Sequence, residues 1–154
     1  MRLPYTEGSV FLVPLRNGGY ARGVIARASE EGKVLLGYFF GPRLMRTEDV
    51  PMDDLDPAHA ILRVRFGDLG LVNGSWAIIG QIPNWTRTMW PMPEFVRRDP
   101  LSRKAWAVRH SDTDPSQTES EYPTDFDSAL MTDSLSGYGA VEIKLTKLLG
   151  AGPG

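Results

Sequence analysis

The sequence contains no cysteine and only two histidines, His59 and His110. The absence of cysteine excludes disulfides, thiolate nucleophiles and cysteine-based zinc sites. A binuclear metal centre of the kind that hydrolyses phosphotriesters needs several histidine and carboxylate ligands to hold two metal ions. Covalent or metal chemistry therefore has few candidate residues in this chain.

Long apolar runs and an excess of charge of one sign are also missing. No apolar run approaches the length of a membrane-spanning helix, and the first residues include no apolar signal segment. The 17 basic and 19 acidic residues give a net charge of −2, which provides no global attraction to phosphate backbones. We therefore expect a cytoplasmic protein with no part in the membrane, in which nucleic-acid binding would need a local basic patch.

The length of the chain and its composition favour one folded unit. At 154 residues with 42% hydrophobic residues, the chain is long enough to bury a real core. We predict a single domain over residues 1–150, followed by a flexible tail at residues 151–154.

The residues around Asn17-Gly18 predict a β-hairpin. Asn-Gly can adopt the positive φ angles of a tight hairpin turn, and the flanking Val, Phe, Ile and Tyr favour strands at residues 9–15 and 20–28. The first strand is apolar at nearly every position, which indicates that both of its faces are covered. Strict alternation along the second strand predicts Arg22 and Arg27 on opposite faces.

The remaining pattern predicts further strands and one helix. A third strand at residues 33–40 completes a meander and is stopped by Gly41-Pro42. The proline-rich segment 83–100 is expected to be irregular and pinned to the sheet by aromatic side chains. Other strands are predicted at 61–66, at 75–82 with Asn73-Gly74 as its hairpin turn, at 103–109 and at 117–121, and a helix at 136–149.

These elements predict the fold class. We expect a mainly β protein, built as a single antiparallel sheet or an SH3-like open barrel and closed by a C-terminal helix, with an α+β class as the alternative. Trp76 and Trp106 lie on predicted strands and are expected in the core.

Four groups of residues follow one another in an order that resembles a known family. They are Gly8-x-Val10-Phe11-x-Val13-Pro14-Leu15 with Gly19-Tyr20 and Gly23, Trp76-x-Ile78-Ile79-Gly80, Trp90-Pro91-Met92-Pro93-x-Phe95, and Gly137-Tyr138-x-x-Val141-Glu142. Through them, most of residues 5–149 resembles the bacterial immunity protein 26 family. The resemblance implies a mostly β protein that binds a polymorphic toxin domain stoichiometrically and neutralises it during competition between bacteria. It implies no catalytic residue, metal or cofactor.

Two other functions stay open at this stage. The family label is shared with a small phosphotriesterase, so a hydrolase acting on phosphotriesters is one alternative. Its metal ligands would have to come from Asp56-x-x-His59 and His110-Ser111-Asp112. The other alternative is a nucleic-acid-binding module, since Arg97-Arg98 and Arg103-Lys104 form a basic cluster near tryptophans, although these residues could equally pair with acidic side chains.

Two sets of residues are candidates for contact with a protein partner. Trp85, Arg87 and Trp90 have the composition of interface hot spots, although both indoles could instead pack onto the sheet. The segment from Ser111 to Ser136 has no Lys or Arg, and its carboxylates could steer a basic toxin or simply form a solvated acidic loop. The acidic candidates are Asp112, Asp114, Glu119 and Glu121.

Overall fold

The structure is a computed structural model that describes residues 3–150, so the predicted tail at 151–154 lies outside the described residues. Its strands are β1 (Ser9–Pro14), β2 (Tyr20–Ala28), β3 (Val34–Leu44), β4 (Leu62–Gly67), β5 (Ile78–Gln81), β6 (Phe95–Asp99), β7 (Lys104–His110), β8 (Thr118–Thr124) and β9 (Leu135–Ser136). Its α-helices are α1 (Leu69–Val72) and α2 (Tyr138–Leu149), and single 3₁₀ turns occur at Pro57–His59 and Arg87–Met89. The mainly β class and the C-terminal helix are confirmed.

The strands form two sheets. The first has the order β5-β1-β2-β3-β4-β9, in which β1 to β4 form the predicted antiparallel meander and the two-residue β9 runs parallel to β4. The second is the antiparallel sheet β6-β7-β8. β5 forms the edge of the first sheet beside β1, and after the second sheet the chain returns to the opposite edge, where β9 pairs with β4.

The first sheet is covered on both faces. The first core cluster lies between one face and the two helices, and includes Phe11, Phe39, Phe66, Trp76, Val141 and Leu145. The second cluster, on the other face, joins the sheet to the segments that precede β4 and β6, and includes Val24, Leu36, Tyr38, Leu55, Trp90 and Phe95. Every residue of β1 except Pro14 is buried, which confirms the expectation of cover on both sides.

Trp76 is in the core, as predicted, but it does not lie on a strand. The residues between Gly67 and Asn73 form the short helix α1, and the indole of Trp76 packs directly on Gly70 of that helix. The strand predicted over 75–82 begins only at Ile78, and it pairs with β1 rather than through a hairpin at Asn73-Gly74. The hairpin prediction is wrong because a helical turn replaces the expected reversal.

The strand β3, the proline-rich segment and one tryptophan also depart from the predictions. β3 continues through Gly41-Pro42 to Leu44, because these residues lie within an irregularity of β3 between Phe40 and Leu44, where a proline need not donate a ladder hydrogen bond. The proline-rich segment includes the regular strand β6. Trp106 is half-buried on the second sheet, where the Arg97 guanidinium lies 4.5 Å from its ring centroid.

Within residues 3–150, no helix is long and apolar enough to cross a membrane.

Candidate functional site

A β-bulge in β2 places two arginines on one face of the first sheet. Between Ile25 and Arg27, β2 advances by two residues while β3 advances by one, so Ala26 is the extra residue. A bulge of this kind re-aims the side chains that follow it. Arg22 and Arg27 are each paired with a β3 residue of the second core cluster. The prediction that they lie on opposite faces is therefore wrong.

Arg22 fixes the connection that follows β3. Its side chain is buried, with the residue 1% exposed, and its Nη1 donates to Asp54 Oδ1 at 2.6 Å and to the Pro51 carbonyl at 2.8 Å. Its Nη2 donates to the Gly41 carbonyl at 2.7 Å and to Asp54 Oδ2 at 3.2 Å. A two-pronged contact between a guanidinium and a carboxylate restricts both distance and angle. Arg22 thereby holds residues 51–54 against the sheet.

Arg27 fixes a second loop from the same strand. The residue is 4% exposed, and its Nη1 donates to the carbonyls of Ala26 at 2.6 Å and Trp90 at 2.9 Å. Its Nη2 donates to the Arg87 carbonyl at 3.4 Å, and its Nε donates to Asp112 Oδ1 at 2.8 Å. The 3₁₀ turn Arg87–Met89 is therefore held by a buried cation on the sheet.

Trp90 is part of this support. It is 3% exposed and packs against the rings of Tyr38, Phe40 and Trp85, with centroid distances of 5.2, 6.0 and 5.5 Å. This burial agrees with the alternative that the indole packs onto the sheet, and the contact of Trp90 with a partner stays a prediction. Trp85 is half-buried beside it, so the aromatic pair fastens the loop to the sheet.

The loops held by Arg22 and Arg27 form the walls of a groove with a volume of about 560 Å³. We call it the acidic groove. One wall carries three carboxylates, and the other is formed by residues of the proline-rich segment. Its lining consists of Asp53, Asp54, Leu55, Asp56, Pro57, His59, Ile82, Pro83, Asn84, Thr86, Met89 and Trp90.

The three carboxylates of the acidic groove have different surroundings. The hydrogen bond from Arg22 is the main cause that holds the pKa of Asp54 below its ordinary value. Asp56 accepts the Ala58 amide at 2.9 Å and so caps the 3₁₀ turn Pro57–His59. Asp53 and Asp56 are exposed, and neither forms an ion pair with any residue of the described range 3–150. Two negative charges of the groove are thus left without a counter-charge from this part of the chain.

The acidic candidates after β7 are largely engaged with this chain's own arginines. Asp112 lies between Arg27, at 2.8 Å, and Arg109, at 3.3 Å. Burial raises the pKa of Asp112, but the hydrogen bond from Arg27 and the charges of Arg27, Arg109 and Arg87 together outweigh burial, so the net shift is downward. Arg109 also pairs with Glu119 at 3.2 Å, and Glu121 pairs with Arg97 at 3.0 Å.

Two further candidates have local structural contacts. Arg87 is exposed, and its guanidinium forms a two-pronged pair with Glu7, with distances of 2.8 Å from Nε and 2.6 Å from Nη2. This hydrogen bond is the main cause that raises the pKa of Arg87. Asp114 accepts from the hydroxyl of Ser116 at 2.6 Å in the turn before β8, and this contact lowers its pKa. The structure does not gather Arg87 and the carboxylates into one patch of free charge.

The two histidines have different environments. His59 is exposed at the rim of the acidic groove, whereas His110 is 1% exposed and its Nε2 lies 2.7 Å from Asp133 Oδ1. The Asp112 carboxylate, expected beside His110 in a ligand set, binds two arginines instead. Over residues 3–150, the structure places no three His, Asp or Glu side chains where they could hold a metal ion together.

The basic cluster packs over the segment that follows β8. Arg98 donates to the carbonyls of Phe126 and Ser128, each at 2.7 Å, and the Arg103 guanidinium lies 4.4 Å from the Phe126 ring centroid. Arg97 forms an ion pair with Glu121, and its guanidinium lies over the ring of Trp106. These cations serve the packing of the second sheet, in agreement with the alternative that they pair with the acidic segment.

The sequence matches a known protein family. The family profile described as Immunity protein 26 matches residues 6–107 of the chain. The chain belongs to the immunity protein 26 family. No curated protein and no solved structure shows significant similarity to it.

The part matched by the immunity protein 26 profile includes the whole acidic groove. Residues 6–107 extend from before β1 into β7, and so contain Arg22, Arg27 and both walls that these residues hold. The acidic candidates from Asp112 to Glu121 and the helix α2 lie beyond the matched range. The groove is therefore built from the family portion of this chain.

Sequence reasoning identified the proline-rich wall of the groove but missed the acidic wall. Asp53-Asp54-x-Asp56 forms a short acidic run in the connection before β4, but the sequence indicated a role only for Asp56, as a possible metal ligand with His59. Met89 stands next to Trp90 without any pattern of its own. The two walls of the acidic groove come together because Arg22 and Arg27 contact loops that are distant in the sequence. No local sequence motif predicts those contacts.

Proposed function

We propose that this protein neutralises a bacterial toxin by binding its toxic domain directly, one molecule to one. The observation that carries the proposal is the match of residues 6–107 to the immunity protein 26 family. An immunity protein of this kind needs a surface that recognises its toxin and blocks the toxin's active site or an essential surface. It needs no chemistry of its own.

The construction of the acidic groove supports a binding role. Ordering a loop on binding subtracts from the affinity that contacts provide, so a loop fixed beforehand favours tight association. Arg22 and Arg27 fix both walls of the groove from one strand. A stable interface typically takes up about 800 Å² on each partner, or roughly a tenth of the surface of a small protein. The 8440 Å² surface of this molecule provides that area readily.

The proposed setting is a polymorphic toxin system in competition between bacteria. The toxin would reach the cytoplasm of the cell that makes this protein, and the complex would form there. Residues 1–150 would act as one binding unit. The partner in this account is a protein domain, without a requirement for metal, cofactor, membrane or nucleic acid.

A capture experiment tests this proposal. The intact protein is used as bait against the polymorphic toxin domains encoded in the same genome, and each domain that it retains is then expressed in cells with and without the protein. We expect one domain to be retained and its toxicity to be abolished by co-expression. The matched control is a toxin domain from the same set that is not retained, whose toxicity should persist.

Two results would contradict the proposal. Retention of none of the toxin domains would remove direct binding as the mechanism. Turnover of a phosphotriester by the purified protein, with no toxin retained, would favour the hydrolase alternative instead.

A further inference from the structure

We propose that the acidic groove is the docking site for the toxin, and that its occupant is a basic, amphipathic segment that presents a Lys or Arg side chain next to an apolar one. This inference rests on the proposed function, and it specifies the surface and the chemistry of the partner.

The size and shape of the groove fit side chains of a partner. Its volume of about 560 Å³ lies in the range of sites that enclose small molecules or a few side chains. Its floor is apolar, because Leu55, Ile82 and Trp90 line it and Leu55 and Trp90 belong to the second core cluster. A partner that filled the groove would therefore bury apolar surface at the centre of its contact.

The charge of the groove selects a basic occupant. No Lys or Arg is among the described residues that line it, whereas three aspartates are. Asp54 is already neutralised by Arg22, but Asp53 and Asp56 have no ion-pair partner within residues 3–150. A cation of a partner would form favourable electrostatic interactions with these two unpaired carboxylates. Complementary charges on two partners also accelerate their association.

An exposed methionine supplies the apolar contact. Met89 is 63% exposed and lines the groove as part of the proline-rich segment, on a turn whose carbonyl at Arg87 is held by Arg27. Methionine adapts its shape to an apolar partner through three rotatable bonds and a polarisable sulfur. A flexible side chain on a fixed backbone, in a groove that also has two unpaired carboxylates, matches a partner segment that carries one cation and one apolar side chain.

The other acidic surfaces fit this role less well. Asp112, Glu119 and Glu121 are paired with arginines of this chain, so a toxin cation would have to compete with existing ion pairs. A second cavity has Glu30 and Glu31 in its wall, but Arg87 also lines it and its only purely apolar lining residue within the described range is Ala28. The acidic groove combines unpaired carboxylates with an apolar floor.

The test measures binding of the captured toxin domain to four variants of the full chain. Asp53→Asn with Asp56→Asn removes two groove charges, while the side-chain carbonyl introduced by the second substitution can still cap the Ala58 amide. Its control is Asp125→Asn with Asp127→Asn, which makes the same change at exposed aspartates outside the groove. Met89→Ala is compared with Met45→Ala, because Met45 is 59% exposed and lies away from the groove.

We expect each groove variant to weaken toxin binding by about tenfold or more, and each control variant by less than about threefold. All four variants should unfold at the wild-type temperature, because the altered side chains are exposed. If wild type binds the toxin and the groove variants bind as well as their controls, the groove is not the docking site and the proposed function stands. If wild type binds no toxin domain, the proposed function fails and this docking site fails with it.

Discussion

Replacing Arg27 with methionine lowers the free energy of unfolding by about 2–4 kcal/mol. Methionine retains a long apolar stem, so the loss of volume is small. It cannot donate to the carbonyls of Ala26 and Trp90, which are then left without the bonds that the buried guanidinium supplies. Asp112 loses one of its two arginines as well. Unfolding in urea, followed by tryptophan fluorescence, measures the change.

Arg109→Met is the matched control for Arg27→Met. Arg109 also contacts Asp112, at 3.3 Å, and donates to the Met92 carbonyl at 3.2 Å, but its side chain is partly exposed to water. Exposed ion pairs contribute little, and we expect a change within about 1 kcal/mol. Equal losses in the two variants would show that burial of Arg27 does not give it a special role in fixing the loop.

Asp133→Ala lowers the free energy of unfolding at neutral pH by about 3–5 kcal/mol. Asp133 lies between β8 and β9, where its Oδ1 accepts from Arg65 at 3.3 Å and lies 2.7 Å from His110 Nε2. Arg65 and His110 belong to different sheets and both are buried. Removal of the carboxylate leaves a buried cation without its counter-charge and breaks a connection between the sheets. The exposed Asp127→Ala variant is the control and should unfold like wild type.

The effect of Asp133→Ala depends on pH. Burial raises the pKa of Asp133, but the hydrogen bond from His110 and the charges of His110 and Arg65 outweigh burial, so the net pKa lies below its ordinary value. A carboxyl group with a lower pKa in the folded state contributes its full stabilisation above its unfolded pKa, and loses it as the pH falls through the folded pKa. The difference between wild type and variant is therefore largest at neutral pH and shrinks on acidification. A pH-independent difference, measured by urea unfolding across the acid range, would contradict this assignment.

Local patterns predicted the elements whose partners are close in the sequence. The predicted hairpin of β1 and β2 is present, although residues 15–19 form its connection and Gly18 and Gly19, not Asn17, have positive φ. β3 and β4 extend it into the predicted meander. The helix predicted at 136–149 is present as α2, in which Val141 and Leu145 are fully buried. In each case the periodicity of the side chains and the nearest turn carry the information.

Features that depend on distant contacts could not be predicted in this way. The two-residue period assigned Arg22 and Arg27 to opposite faces, and only the pairing of β2 with β3 reveals the extra residue at Ala26. The same bulge brings Arg27 to the loop at Trp90, which is 63 residues away. A local window contains neither partner. Packing of Trp90 on the sheet could therefore be named as an alternative, but the assembly of the acidic groove could not be predicted.

Composition also failed to indicate that carboxylates of the segment from Ser111 to Ser136 form ion pairs. A stretch without Lys or Arg suggests a free negative surface, yet the arginines that pair with it come from other strands. Arg27 on β2, Arg97 on β6 and Arg109 on β7 supply the cations. The unpaired carboxylates of the acidic groove, Asp53 and Asp56, come from a shorter acidic run, in which the sequence indicated a role only for Asp56, as a possible metal ligand.

The central claim is that this protein neutralises its toxin by stoichiometric binding, and titration of the purified toxin domain with this protein is its most direct test. Toxin activity is measured at a toxin concentration far above the dissociation constant, while the protein is added in small increments. Stoichiometric binding predicts that activity falls linearly and ends at about one molar equivalent, because each bound molecule blocks one toxin. Complete loss of activity at a small fraction of an equivalent would indicate catalytic inactivation, and undiminished activity at excess would indicate no neutralisation. Either result would contradict stoichiometric binding.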